Sequence, residues 1–230
     1  MTAEPEGRVL ARTQGVALLS SNSDPSSEGM RAHGGWFEEG HLYLQSPFRR
    51  ELYVDAQEAQ QVFAAERQAV FLRFCRALGA LSIEVLRVSK SSAESARSVG
   101  VGVAKGYEAK AKMTSSQEEQ FVSSLRQKDS FAGGRTDLEL ARSILDEVYL
   151  STDLEFTTLL DLRSGSNPIV EREYDLTVTR SGKQQMDFAA SLKVPAFAKL
   201  SVDYDTVLRV REEYQARLKI QFDRPQNKLR

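Results

Sequence analysis

The sequence predicts an α+β fold: a mainly antiparallel sheet of long strands, one face covered by helices, preceded by a disordered N-terminal arm. Three observations predict it. From Leu200 to Phe222 apolar residues such as Leu208, Val210, Tyr214, Ala216, Leu218, Ile220 and Phe222 share one parity, while Arg209, Arg211, Glu213, Gln215, Arg217, Lys219 and Gln221 share the other. Only Val207 and Glu212 break the order. Because successive strand side chains point to opposite faces, this is the pattern of a strand with one dry and one wet face. A helix would turn Leu208, Ala216 and Ile220 away from the stripe formed by Val210, Tyr214 and Leu218, so strand is the better template. The second observation is a long amphipathic helix between Asp55 and Gly79, and the third a pair of short capped helices between residues 136 and 165.

In chain order, residues 1–35 hold five Gly, two Pro and five Ser around one apolar island, Val16-Ala17-Leu18-Leu19. Such a segment buries too little to offset its ordering entropy, so it reads as a mobile arm whose island docks as a short strand or serves as a partner's ligand. Leu42 and Leu44 alternate with Tyr43 and Gln45 as a short strand that stops at Ser46-Pro47. Asp55 and Glu58 have the spacing of a capping box, and Ala59, Phe63, Val70, Phe74, Ala77 and Leu78 trace one helix face to Gly79, a left-handed terminator.

Leu81, Ile83 and Val85 begin a strand that fades into serines. A second alternating stretch, from Val99 to Met113, is expected to pair with residues 81–90 as a hairpin. Residues 115–130 are polar, anchored by Phe121 and Leu125. Thr136 with Glu139 and Thr152 with Glu155 cap the two short helices, which bury Leu138, Ala141, Leu145 and Val148, then Phe156, Leu159 and Leu160. Strands resume at Tyr174, Leu176 and Val178, turn at Ser181-Gly182, and continue through Phe188 to Val194 into the long C-terminal stretch. Residues 36–230 read as a single domain, with the weakest point near 128–135.

Chemistry is harder to find. The chain has 31 basic and 32 acidic side chains, a formal charge of −1, which argues against electrostatic capture of nucleic acid. No apolar run approaches the length of a membrane helix, the N-terminus lacks the basic and apolar regions of a signal peptide, and a cytoplasmic address is expected. Two histidines, His33 and His41, and the lone Cys75 exclude a Cys/His zinc cage. His41 reads as a surface or edge histidine rather than half of a pair with Cys75, and Cys75 as a partly buried, inert thiol. Gly100, Gly102 and Gly106 have the wrong spacing for a dinucleotide loop and lie inside a strand pattern, so no cofactor is expected.

One tripeptide has catalytic form. Glu108-Ala109-Lys110 places a carboxylate and an ammonium on the same face of a strand, and in that respect resembles metal-dependent nucleases of the PD-(D/E)xK type. The resemblance covers three residues and implies a Mg²⁺ ion and an activated water, with Glu84 or Glu94 as the additional acid. The expectation that best fits the whole chain is non-enzymatic: a module that binds a protein partner or copies of itself through long antiparallel strands. The alternative from another class is a pore-forming or membrane-remodelling protein whose residues 81–126 insert conditionally as a hairpin. Against that stand Lys105 on the apolar parity and a poor second arm at 117–126.

Overall fold

The computed structural model describes residues 9–13, 16–19, 29–38, 41–90, 115–181, 183–184 and 213–223. They belong to two compact units, divided within one helix between Ala64 and Ala65. The first unit is built on a five-stranded sheet of β1 (Val9–Thr13), β2 (Val16–Leu19), β3 (Arg31–Ala32), β4 (Leu42–Gln45) and β5 (Leu52–Asp55), in the order β1-β2-β4-β5-β3. The apolar island of the N-terminal arm is β2. It pairs antiparallel with β4, Val16 opposite Leu44 and Leu18 opposite Leu42.

Around Met30, Tyr43 and Tyr53 the first unit has a small buried cluster on which Phe37 packs, its ring edge-on to Tyr43 at 4.8 Å. After β5 the chain turns into α1 (Ala59–Ala77). Asp55 does not cap this helix in the expected way: its Oδ1 accepts from the N–H of Gln57, in the turn before the first helical residue, and its Oδ2 is engaged by His41. The far end is as predicted. Gly79 has φ +81°, and a Cβ there would lie 2.7 Å from the carbonyl oxygen of Gly134, so glycine is required twice over.

The second unit holds β6 (Ala80–Lys90), α2 (Ser115–Leu125), β7 (Lys128–Ser130), α3 (Leu138–Glu147), α4 (Leu154–Ser164), β8 (Glu171–Thr177) and β9 (Tyr214–Phe222). Its four strands run β7-β6-β9-β8, every pair antiparallel. In β9 the residues predicted to face oil, Tyr214, Ala216, Leu218, Ile220 and Phe222, are all buried. The remainder of the predicted ribbon, residues 200–212, the second alternating stretch at 99–113 and the strand from Phe188 to Val194 lie outside the described residues. Near the predicted Ser181-Gly182 turn, the N–H of Lys183 donates to Thr179 O at 3.1 Å, a helical turn.

Helices cover the dry face through aromatic contacts. Phe156 of α4 meets Phe71 and Phe74 of α1 edge-on at 5.6 and 5.4 Å, Phe71 stacks on Tyr174 of β8, and Phe121 of α2 meets Tyr214 of β9 edge-on at 5.0 Å. Each such pair adds roughly 0.5–1.5 kcal/mol beyond the area it buries. This is the predicted α+β layering.

Three details depart from the sequence reading. Strand β6 runs through Ser89 to Lys90, the later serines lying outside the described residues, and it carries an extra residue at Leu81 and again at Leu86, where the register with β9 slips. Both spare leucines are exposed, and beyond Leu86 the facing parity reverses, so that Val88 is buried and Arg87 wet. The caps of α3 and α4 are Asp137 and Asp153, whose carboxylates accept from Leu140 N and Glu155 N at 2.9 Å, each one residue after the expected threonine. Thr136 is occupied elsewhere, donating to Leu78 O at 3.2 Å. Finally, Ile144 is buried in α3 while Leu138 is only half-buried.

Candidate functional site

Of the residues singled out for chemistry, Glu84, His33, His41 and Cys75 lie among the described ones. Glu108 and Lys110, with Glu94 and Lys105, lie outside the described residues. Glu84 sits on the wet face of β6, where it forms an ion pair with Lys128 of β7 at 3.1 Å. Of the stretch 81–126, the first part is an inner strand and the last is α2, with 91–114 outside the described residues. Among the described residues no group of three or more His, Cys, Asp or Glu is placed to hold a metal ion. No described helix is long and apolar enough to cross a membrane.

His41 has a well-defined setting. Its Nδ1 lies 2.5 Å from Asp55 Oδ2, and its Nε2 lies 3.4 Å from Glu38 Oε2. In a hydrolytic dyad one ring nitrogen is held by the carboxylate and the other is left for a nucleophile. Here both nitrogens face carboxylates. His41 therefore works as a clamp between the turn before β4 and the end of β5, a region further tied by Glu38 N donating to the Tyr43 hydroxyl at 2.8 Å. Cys75 is completely buried, and that burial pushes its thiol well above the ordinary range, which leaves it protonated and inert.

Two buried arginines organise the second unit, and nothing in the sequence distinguishes them from surface charge. Arg67 is fully buried, its Nη2 bonded to Asp153 Oδ2 and Glu155 Oε2 at 2.8 Å each, with the guanidinium 5.1 Å over the Phe156 ring. Glu155 also accepts from the N–H of Thr177, at 3.2 Å, and its backbone oxygen accepts from the Tyr174 hydroxyl. Arg163 donates to Leu78 O, Ile169 O and Thr136 Oγ1, and lies 4.5 Å over Phe222. Both read as fasteners: each satisfies backbone or carboxylate groups that burial would leave costly.

A surface with ordered charge is the wet face and outer edge of the second sheet. On β8 the outward side chains are Glu171, Glu173 and Asp175, all exposed. Asp175 is held by Arg217 of β9 through two bonds, of 2.9 and 3.1 Å, and Glu171 by Gln221 and Lys219, each at 3.0 Å. These bonds hold both carboxyls below their ordinary range: Gln221 and then Lys219 act on Glu171, and Arg217 on Asp175. Glu173, opposite Lys219 in the register, makes no ion pair among the described residues.

Among the described residues the outer edge of the same strand has no strand partner. Val178 N donates to Tyr214 O, and Phe222 N donates to Val170 O, so the even-numbered residues turn their backbone groups toward β9. The N–H and C=O of Glu171, Glu173 and Asp175 therefore point away from the sheet. At Thr177 the outward N–H is already taken by the Glu155 carboxylate. Comparison with known proteins finds no matching family model, no matching curated protein and no matching solved structure.

Proposed function

We propose that the chain is a non-enzymatic protein-binding module whose contact is the addition of an extended segment to the outer edge of β8. The observation that carries this reading is the row of outward backbone groups at Glu171, Glu173 and Asp175, on a strand whose other side is laddered to β9 and whose inner face rests on the Phe71, Phe156 and Tyr174 cluster. An unpaired strand on a rigid core is a template for main-chain recognition. Seven residues span roughly 20 Å and offer three double-bonded positions to a guest strand. Support also comes from the two buried arginines, which bond to Asp153, Glu155, Leu78, Thr136 and Ile169 within the fold.

Proline supplies the test. At position 173 it deletes one outward N–H and leaves the β9 ladder intact, because that ladder uses the flanking even-numbered residues. In amide hydrogen exchange of the free protein, Glu173 and Asp175 should exchange much faster than Tyr174 and Leu176. Extended peptides should protect the fast pair, and Glu173→Pro should abolish the protection. Peptides that bind without protecting these amides, or that bind the proline variant equally well, would sink the proposal.

A further inference from the structure

The edge specifies the chemistry of its guest, an inference that rests on the strand-addition reading above. Charge on the wet face is laid out in columns along the strands. Glu171, Glu173 and Asp175 make the outer column on β8 and Arg217 and Lys219 stand beside it on β9; on β6 Glu84 lies opposite Lys219 while Arg87 lies opposite Arg217, and Lys128 on β7 lies opposite Glu84. Two cations on β9 thus serve three carboxylates on β8, and Arg217 and Lys219 go to Asp175 and Glu171. Glu173 is left between them.

A strand added beside β8 would place alternate side chains directly opposite these three acids, at the close Cβ separation of cross-strand pairs. Cationic side chains there would flank the acids on the side away from Arg217 and Lys219, whereas acidic ones meet like charge. The pairing of β8 with β8 of a second copy is disfavoured on this ground, because it sets three carboxylates against three. On the other face of β8 the neighbours are Arg172, half-buried and 5.9 Å from the Tyr174 ring, and Tyr174 itself, which is buried. The guest's remaining positions therefore turn toward the helix-covered face, past the half-buried guanidinium of Arg172, which suits apolar residues and disfavours a second row of cations. Its length is bounded at one end, since the Thr177 N–H is closed by Glu155.

We infer that the partner is an extended protein segment in which Lys or Arg alternates with apolar residues, docking over Glu171–Asp175. The probe is an end-capped nine-residue peptide alternating lysine with valine, compared with versions carrying glutamine or glutamate in place of lysine. Binding is read by fluorescence anisotropy at low salt and by hydrogen exchange at Glu173 and Asp175. Three cross-strand charge pairs should favour the lysine peptide over the glutamine peptide by about tenfold, a margin that shrinks as salt is added. Glu173→Gln should reduce that margin, and Glu173→Lys, checked for native circular dichroism, should shift the preference toward the glutamate peptide. Equal binding of the lysine and glutamine peptides, with the edge amides protected in both, would overturn this inference and leave strand addition standing. Lysine-peptide binding without edge protection would overturn it as diffuse charge attraction. If no peptide protects the edge, both readings fall.

Discussion

Replacing Arg163 by methionine isolates what a buried cation bonded to backbone carbonyls and a hydroxyl contributes to this fold. The guanidinium makes four hydrogen bonds to three acceptors: Nε and Nη2 to Leu78 O at 3.1 and 3.0 Å, Nη2 to Thr136 Oγ1 at 2.7 Å, and Nη1 to Ile169 O at 2.5 Å. Through them it joins the end of α1, the approach to α3 and the loop before β8. Burial pulls its pKa down, with the Asp223 charge opposing, so the side chain is held at a desolvation cost. Methionine fills similar volume and removes that cost, but it leaves Ile169 O without this donor and Leu78 O with only the Thr136 hydroxyl at 3.2 Å. With about 1.5–3 kcal/mol for each bond to a charged group and the desolvation term offsetting part of the sum, the net loss is about 3 kcal/mol. For a chain of this length that is a fall in Tm of roughly 6–12 °C. Arg163→Lys keeps the charge and loses the planar fork, and should cost about 2 kcal/mol. Urea unfolding followed by far-ultraviolet circular dichroism measures both. A loss under about 1 kcal/mol for methionine would refute the reasoning, since desolvation would then cancel the bonds outright.

Gly79→Ala should destabilise by about 2 kcal/mol or more, from the left-handed backbone and the contact with Gly134 O, and a thermal melt checks it. The Cys75 thiol should resist a disulfide reagent in the native protein and react at once in urea; rapid native labelling would contradict its burial. The depressed carboxyls of Glu171 and Asp175 contribute stability that is present above their ordinary values of 4.5 and 3.8 and is lost as pH falls through their lower folded values. Arg217→Gln should flatten that acid limb in urea titrations, and an unchanged slope would count against the ion pair. Tyr174 shows the opposite sign: burial first, then the Glu155 charge, raises its hydroxyl pKa, so stability should decline as pH rises past the ordinary value of 10.0, and Tyr174→Phe should blunt that decline.

What could be read from the sequence depended on how local the cause was. The dry parity of β9 and the buried face of α1 follow from side-chain period alone, and both stand as written. The caps were misplaced by one residue because threonine and aspartate stood side by side, and the choice was made by a distant acceptor, Leu78 O, which recruits Thr136. The parity reversal within β6 could not be read: a single spare residue at Leu86 shifts the later side chains of the strand to the other face, so period-two reading fails there by construction. Arg67 and Arg163 were invisible because a buried arginine is identified only by what closes around it. The edge at β8 was likewise out of reach, since an edge is a property of strand order and not of any one strand.

The two spare residues of β6 also bear on how this sheet tolerates change in length. In an inner strand the loss of one residue ordinarily throws all that follows onto the wrong side, yet between Val85, opposite Leu218, and Arg87, opposite Arg217, the ladder already passes over Leu86. Excising Leu86 leaves Val85 inward and Arg87 outward with no slip. The strand thus carries its own slack, and a one-residue deletion there trims a kink rather than scrambling a core.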